Sequence, residues 1–159
     1  MSLLCPETNP MESIEVIERK ELDLLTVLMA DDDADDCLLV KDAFKESRLP
    51  SDLRCVEDGE ALLEYLYRRG KYSDSSLAPH PALILLDLNM PRKDGREALR
   101  EIKSDPELRD IPVVVLTTSM NKADMDFSYG LGASSFITKP DTFEGLVNAI
   151  SSLSRYWTS

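Results

Sequence analysis

The sequence predicts a doubly wound α/β domain on a five-stranded parallel sheet with strand order 2-1-3-4-5. Three observations predict it. Strand-like runs and helix-length amphipathic segments alternate five times from Leu24 onward. The run Leu83-Ile84-Leu85-Leu86 is four consecutive large aliphatics, the pattern of a strand covered on both faces. Several runs also stop at polar groups: Leu24 to Ala30 before Asp31-Asp32, Leu83 to Leu86 before Asp87, Val113 to Leu116 before Thr117-Thr118, and Ser134 to Ile137 before Lys139-Pro140. In an open parallel sheet the strand C-termini share one edge, where ligands bind.

Each element has its own warrant. The first strand leads to a helix near Asp35 to Ser47, with Leu38, Leu39, Ala43 and Phe44 as its expected apolar face. Leu53 to Val56 is the second strand. A helix from Gly59 through Arg69 carries Leu62, Leu63 and Leu66, and Gly70 is expected to end it. Lys71 to Pro81 is a polar connection to the third strand. A helix from Gly95 to Lys103 follows that strand and is broken by Ser104-Asp105-Pro106. The fourth strand, Ile111 to Leu116, precedes a helix from Lys122 to Leu131. After Gly132 and the fifth strand, Thr142 is expected to cap a last helix, where Phe143, Leu146, Val147, Ile150, Leu153 and Trp157 recur every three or four residues. Alternation of this kind implies right-handed crossovers and helices on both faces. Residues 24–159 read as this one domain. Residues 1–23 read as an N-terminal extension, a tail followed by a short helix over Met11 to Leu22.

Composition excludes several functions. Thirty acidic residues against 18 basic ones make nucleic acid an improbable direct partner. No apolar run approaches membrane-spanning length, and the N-terminus lacks the basic and apolar regions of a signal peptide. Cys5, Cys37 and Cys55 show no metal-ligand or paired spacing. Cys37 and Cys55 fall in a helix and a strand, where buried thiols are common, so a reducing cytoplasm is the expected location. His80, between two prolines, reads as exposed and inert.

The strand ends define a candidate site. Strands one and three are neighbours at the switch point of this topology, which brings Asp31 and Asp32 beside Asp87. Clustered carboxylates repel one another unless a cation intervenes. Mg²⁺ suits them, because it prefers hard oxygen ligands and often bridges carboxylates to a phosphoryl group. With a metal in place Asp87 could act as a nucleophile. Lys139 offers an ammonium for a phosphoryl oxygen, and Thr117 a hydroxyl one strand away.

These residues sit in a recognisable set of motifs. Ala30-Asp31-Asp32, Leu86-Asp87-Leu88-Asn89-Met90-Pro91-Arg92-Lys93-Asp94-Gly95, Leu116-Thr117-Thr118, Gly132-Ala133 and Thr138-Lys139-Pro140 together resemble the motif set of response-regulator receiver domains, a flavodoxin-like three-layer sandwich. The resemblance runs from Leu24 to Trp157. The segments DLNMPRKDGREALREIKSDPELRDIPVVVLTTS and RRGKYSDSS further resemble single-domain regulators associated with bacterial phytochrome kinases.

The resemblance implies roles. Asp87 would be the phosphoacceptor, and Asp31 and Asp32 the acidic pair holding Mg²⁺ together with Asp87 and the backbone carbonyl of Asn89. Thr117 and Phe136 would be the switch pair, Lys139 the phosphate-binding lysine, and Lys139-Pro140 a cis peptide bond. Asn89 and Ser119 match positions that tune loss of the phosphoryl group. Phe136 lacks the hydroxyl that a tyrosine would carry there. The implied partners are a sensor histidine kinase, phytochrome-type on the narrower resemblance, and a downstream protein or phosphotransfer partner.

Taken singly, the same residues have plainer readings. The acidic run from Asp31 to Asp36 complements a helix dipole, and one of Asp33, Asp35 or Asp36 caps the first helix. Its spacing mimics a calcium loop but fails, with Asp36 where glycine is needed and Asp42 where a bidentate glutamate belongs. Asp87 could be another cap, Thr117 a backbone-satisfying hydroxyl, Lys139 a surface lysine and Phe136 a core ring. Tyr156 and Trp157 either close the core or form a partner or homodimer surface. Two rival functions stand beside the signalling one. A haloacid-dehalogenase-type Mg²⁺ phosphohydrolase would use Asp31-x-Asp33, and a degenerate receiver would dock without phosphorylation.

Overall fold

A computed structural model of the 159-residue chain describes residues 24–74, 78–90, 93–118 and 122–154. The expected extension over residues 1–23, Ser119, and the pair Tyr156 and Trp157 lie outside the described residues.

Five parallel strands form one sheet: β1 (Leu25–Ala30), β2 (Ser51–Val56), β3 (Leu83–Leu86), β4 (Val113–Thr117) and β5 (Ser135–Thr138). Their order is β2-β1-β3-β4-β5, the expected doubly wound order. Register aligns Ala30 with both Val56 and Leu86, so three strand ends lie level where the acidic residues begin. The helices are α1 (Ala34–Ser47), α2 (Gly59–Tyr67), α3 (Gly95–Ser104), α4 (Lys122–Gly130) and α5 (Phe143–Ser151).

Strand alternation sorts the core into two layers. Val27, Met29, Leu83, Leu85, Val114 and Leu116 face Val40, Ala43 and Phe44 of α1 and Leu146 and Ile150 of α5. Leu28, Ala30, Ile84, Leu86, Val113 and Val115 face α2 and α3. The three central strands are buried along nearly their whole length, which is why they read as unbroken aliphatic runs. No helix among the described residues is long and apolar enough to cross a membrane.

Side-chain caps start α1, α2, α3 and α5. Asp33 Oδ1 accepts the Asp35 N–H at 2.9 Å, so Asp33 is the residue of the acidic run that caps α1. Asp58 caps α2, Asp94 caps α3 and Thr142 caps α5. Gly95 is demanded by space rather than by flexibility. A Cβ there would lie 2.3 Å from the Asp87 carbonyl oxygen, so only glycine lets α3 begin this close to the end of β3.

Four expectations need correction. The buried stripe of α1 is Val40, Ala43 and Phe44, with Cys37 one turn earlier. Leu38 and Leu39 lie on its flank at 60% and 45% exposure, because the i, i+3, i+4 stripe passes to either side of them. Helix α2 ends at Tyr67 with Arg68 as its left-handed cap at φ 55°, and Gly70, also left-handed at φ 56°, lies two residues beyond it. Arg68 accepts that conformation because its N–H reaches the carbonyls of Glu64 and Tyr65. No cis peptide bond occurs among the described residues, so Lys139-Pro140 is trans, the isomer that X–Pro bonds ordinarily prefer. Finally, Cys37 and Cys55 are not separate buried thiols. They form a disulfide between α1 and β2, with their Cα atoms 6.6 Å apart and Cys55 exposed. Their separation of 18 residues resembles no pairing signature, and the contact arises only because α1 packs over the β2 edge of the sheet.

Candidate functional site

The site is built from the backbone outward. The Asp31 N–H donates to the Val56 carbonyl at 3.0 Å and the Asp87 N–H donates to the Ala30 carbonyl at 3.0 Å. The two acids are therefore held where β1 lies between β2 and β3. On the far side the Lys139 N–H donates to the Thr117 carbonyl at 2.8 Å, extending the β4–β5 ladder past its last pair. The expected convergence holds: oxygens of Asp31, Asp32 and Asp87 all lie within 4.8 Å of one another.

Hydrogen bonds orient these carboxylates. Asp31 Oδ1 accepts the Asp33 N–H at 2.9 Å. Asp87 Oδ1 accepts the Asn89 N–H at 3.0 Å and the Thr117 hydroxyl at 3.1 Å. The Asn89 side-chain amide reaches Thr117 Oγ1 at 3.5 Å. Asp31, Asp87 and Thr117 are buried, whereas Asp32 and Asn89 are exposed. The Lys139 ammonium donates to Asp31 Oδ2 at 2.6 Å, Asp36 Oδ2 at 2.8 Å and Asp87 Oδ2 at 3.2 Å.

Burial and charge pull against each other here. Burial pushes the Asp31 carboxyl above the ordinary carboxylate range and the Asp87 charge adds to this, against the lowering influence of Lys139 and the Asp33 N–H. Burial alone would lower the Lys139 ammonium. Its bonds to Asp31 and Asp36 and the nearby charges outweigh burial and hold it above the usual lysine value. One ammonium among four carboxylates still leaves the cluster net negative. Hard, converging oxygen donors with surplus negative charge fit a divalent cation.

The switch candidates are placed but not joined. Phe136 lies on β5 opposite Val115 of β4, half-buried against the α2–α3 side of the core, and Thr117 pairs with Thr138 further along. The Phe136 N–H donates to the Tyr129 hydroxyl at 3.0 Å, so α4 is fastened to the outer edge of β5.

Sequence reasoning missed three participants. Asp36 was assignable only as a helix-cap candidate, yet it holds Lys139. The available signal was its place one turn after Asp32. Arg96 pairs in two-pronged fashion with Asp124 at 2.9 and 2.6 Å and also reaches the Leu88 carbonyl at 3.4 Å. It thereby links the loop after Asp87 to α4, a contact with no local signature. The third is the Cys37–Cys55 bridge, which lines a cavity of about 470 Å³ together with Asp31, Asp32, Lys71 and Tyr72.

This geometry has close counterparts. Residues 27–151 match the family model of the response regulator receiver domain. The response regulator Rcp1 of Synechocystis is 41% identical over 131 residues, covering 82% of this chain and 87% of that protein. The crystal structure of the phosphorylated cyanobacterial phytochrome response regulator RcpA aligns with a TM-score of 0.77 at 40% identity, covering 86% of this chain and 95% of RcpA. The Mn²⁺-bound form of Rcp1 aligns at 0.74 with 40% identity, covering 84% of this chain and 94% of that one. With its sheet order, its level strand ends and its acid–lysine cluster, the chain belongs to the response-regulator receiver family.

Proposed function

We propose that this response regulator takes a phosphoryl group from the phosphohistidine of a sensor kinase onto Asp87. The carrying observation is the meeting of Asp31, Asp32 and Asp87 with Lys139 and Thr117 at one sheet edge. Asp87 is the best-placed nucleophile, because one of its oxygens is held by the Asn89 N–H and the Thr117 hydroxyl while the other accepts from Lys139. In the transfer, an Asp87 oxygen forms the new bond to phosphorus, the phosphorus–nitrogen bond breaks, and the histidine nitrogen keeps its electron pair.

Asp31, Asp32, Asp87 and the Asn89 carbonyl would hold Mg²⁺, which would supply charge neutralisation on the transferring group. Lys139 exchanges carboxylate contacts for a phosphoryl oxygen. The Thr117 hydroxyl turns from Asp87 to the new group, and Phe136 answers by moving inward. Movement of Phe136 would loosen its contact with Tyr129, so the change spreads to α4. Asn89 and Ser119 set how long the phosphoryl group persists. The kinase is of phytochrome type on the similarity to RcpA and Rcp1, the chain acts in the cytoplasm, and it signals to a downstream protein or phosphotransfer partner.

The phosphohydrolase alternative is disfavoured by one contact. Asp33, which would be its acid–base group, is engaged in capping α1. The test is incubation with Mg²⁺ and acetyl phosphate, followed by intact mass and phosphate-affinity electrophoresis. One added phosphoryl group, lost in Asp87→Asn, is expected. Folded protein that stays unmodified would instead support docking without phosphorylation, and phosphomonoester turnover surviving Asp87→Asn would support the hydrolase.

A further inference from the structure

We propose that Cys37 and Cys55 form a reversible thiol–disulfide exchange site, served by a dithiol reductant, whose state sets how firmly the acidic cluster is held. The inference rests on the cytoplasmic placement and metal site proposed above. In that compartment a bridge between α1 and β2 is expected to be transient and redox-sensing rather than permanent.

The neighbours of the two cysteines carry the coupling. Asp36, immediately before Cys37, holds the Lys139 ammonium. Val56, immediately after Cys55, holds the Asp31 backbone through its carbonyl. The bridge thus ties together two chain segments that each position one member of the cluster from the opposite side. Access is present as well. Cys55 is exposed, and both cysteines line the cavity of about 470 Å³ that also opens onto Asp31 and Asp32.

The exchange balances without further reagents. One thiolate of the dithiol attacks Cys55 Sγ, the protein S–S bond breaks, and Cys37 leaves as a thiolate that takes up a proton. The second thiol then attacks the mixed disulfide and releases Cys55 as a thiol. Two electrons pass to the protein and the reductant departs as a disulfide. A disulfide oxidant drives the reverse.

The test uses the full chain carrying Cys5→Ser, equilibrated in glutathione mixtures from fully reduced to fully oxidised, with thiols counted by alkylation and intact mass. Two thiols should appear and vanish together within that span. A pair that stays bridged in the most reducing mixture, or open in the most oxidising one, overturns reversibility. Calorimetric titration with Mg²⁺ should find the bridged form tighter by at least roughly threefold, because its ligand segments are held in advance. Equal affinities, or binding by neither form, overturn the coupling. Cys55→Ser should match the reduced form and ignore the redox buffer. If that variant does not fold, the reduced and alkylated chain carries the same comparison. Phosphorylation by acetyl phosphate is followed in both states. Its absence from both, with normal thiol exchange, would count against Asp87 as acceptor and leave the exchange site standing.

Discussion

The Lys139 ammonium lies 2.6 Å from Asp31 Oδ2, joining residues 108 positions apart into a buried ion pair. Asp36 and Asp87 share the same ammonium, so a single cation organises carboxylates from three segments. That balance is incomplete, and several consequences follow from it and from the backbone that carries it.

Asp31 should cost stability at neutral pH. Because burial raises its carboxyl, the folded chain binds more protons than the unfolded chain between the ordinary carboxylate range and the raised value. Its contribution therefore falls as pH climbs from the ordinary carboxylate range through the raised value. Asp31→Asn should stabilise the metal-free protein at pH 7 by about 0.5–2 kcal/mol in urea unfolding, while weakening Mg²⁺ binding. The gain should vanish well below the ordinary aspartate value, where Asp31 is protonated in the folded and the unfolded chain alike. A destabilised variant would mean that the Lys139 contact outweighs desolvation.

Thr117→Ala separates acceptance from response. The variant keeps the Asn89 and Lys139 contacts to Asp87, so acetyl phosphate should still modify it. What it lacks is the hydroxyl bridging Asp87 to β4. On the proposed switch the Phe136 amide resonance should shift with beryllofluoride in the parent protein and stay in place in the variant. An unchanged shift in the variant would detach Thr117 from the switch.

Gly95→Ala and Gly130→Ala form a matched pair. At Gly95 the new Cβ meets the backbone of Asp87 and Leu88, at 2.3 and 2.6 Å, which cannot yield as a side chain can. A loss of about 3 kcal/mol or more is expected in equilibrium unfolding, with weaker metal binding because the end of β3 must move. At Gly130 nothing lies within 4 Å, and alanine should be neutral or stabilise by about 0.5–1 kcal/mol.

Tyr67 predicts an alkaline limb. Its hydroxyl donates to Asp105 Oδ2 at 2.7 Å, and that bond leads the causes that push its pKa from 10.0 to about 12. Between those values the unfolded chain loses the phenolic proton first, so this contribution declines as pH rises. Tyr67→Phe should lose about 1 kcal/mol at pH 7 and show a flatter stability curve between pH 10 and 12. Parallel curves would leave the bond without a measurable role.

By itself the sequence determined the sheet. Runs such as Leu83-Ile84-Leu85-Leu86 can be buried on both faces only in a central parallel strand, and the connecting helices leave one hand of crossover. It also determined that Asp31, Asp32, Asp87, Thr117 and Lys139 gather at one edge, since that follows from strand order alone. Only the tertiary structure decided the rest. Asp36 on Lys139, Tyr129 on the Phe136 backbone and Arg96 on Asp124 depend on the angle at which each helix settles on the sheet. The same packing turned Leu38 and Leu39 outward and set Cys37 against Cys55. Periodicity specifies that a helix has an apolar side. It carries no record of which neighbour lies across a groove, because side-chain contacts between remote segments are set by packing in three dimensions.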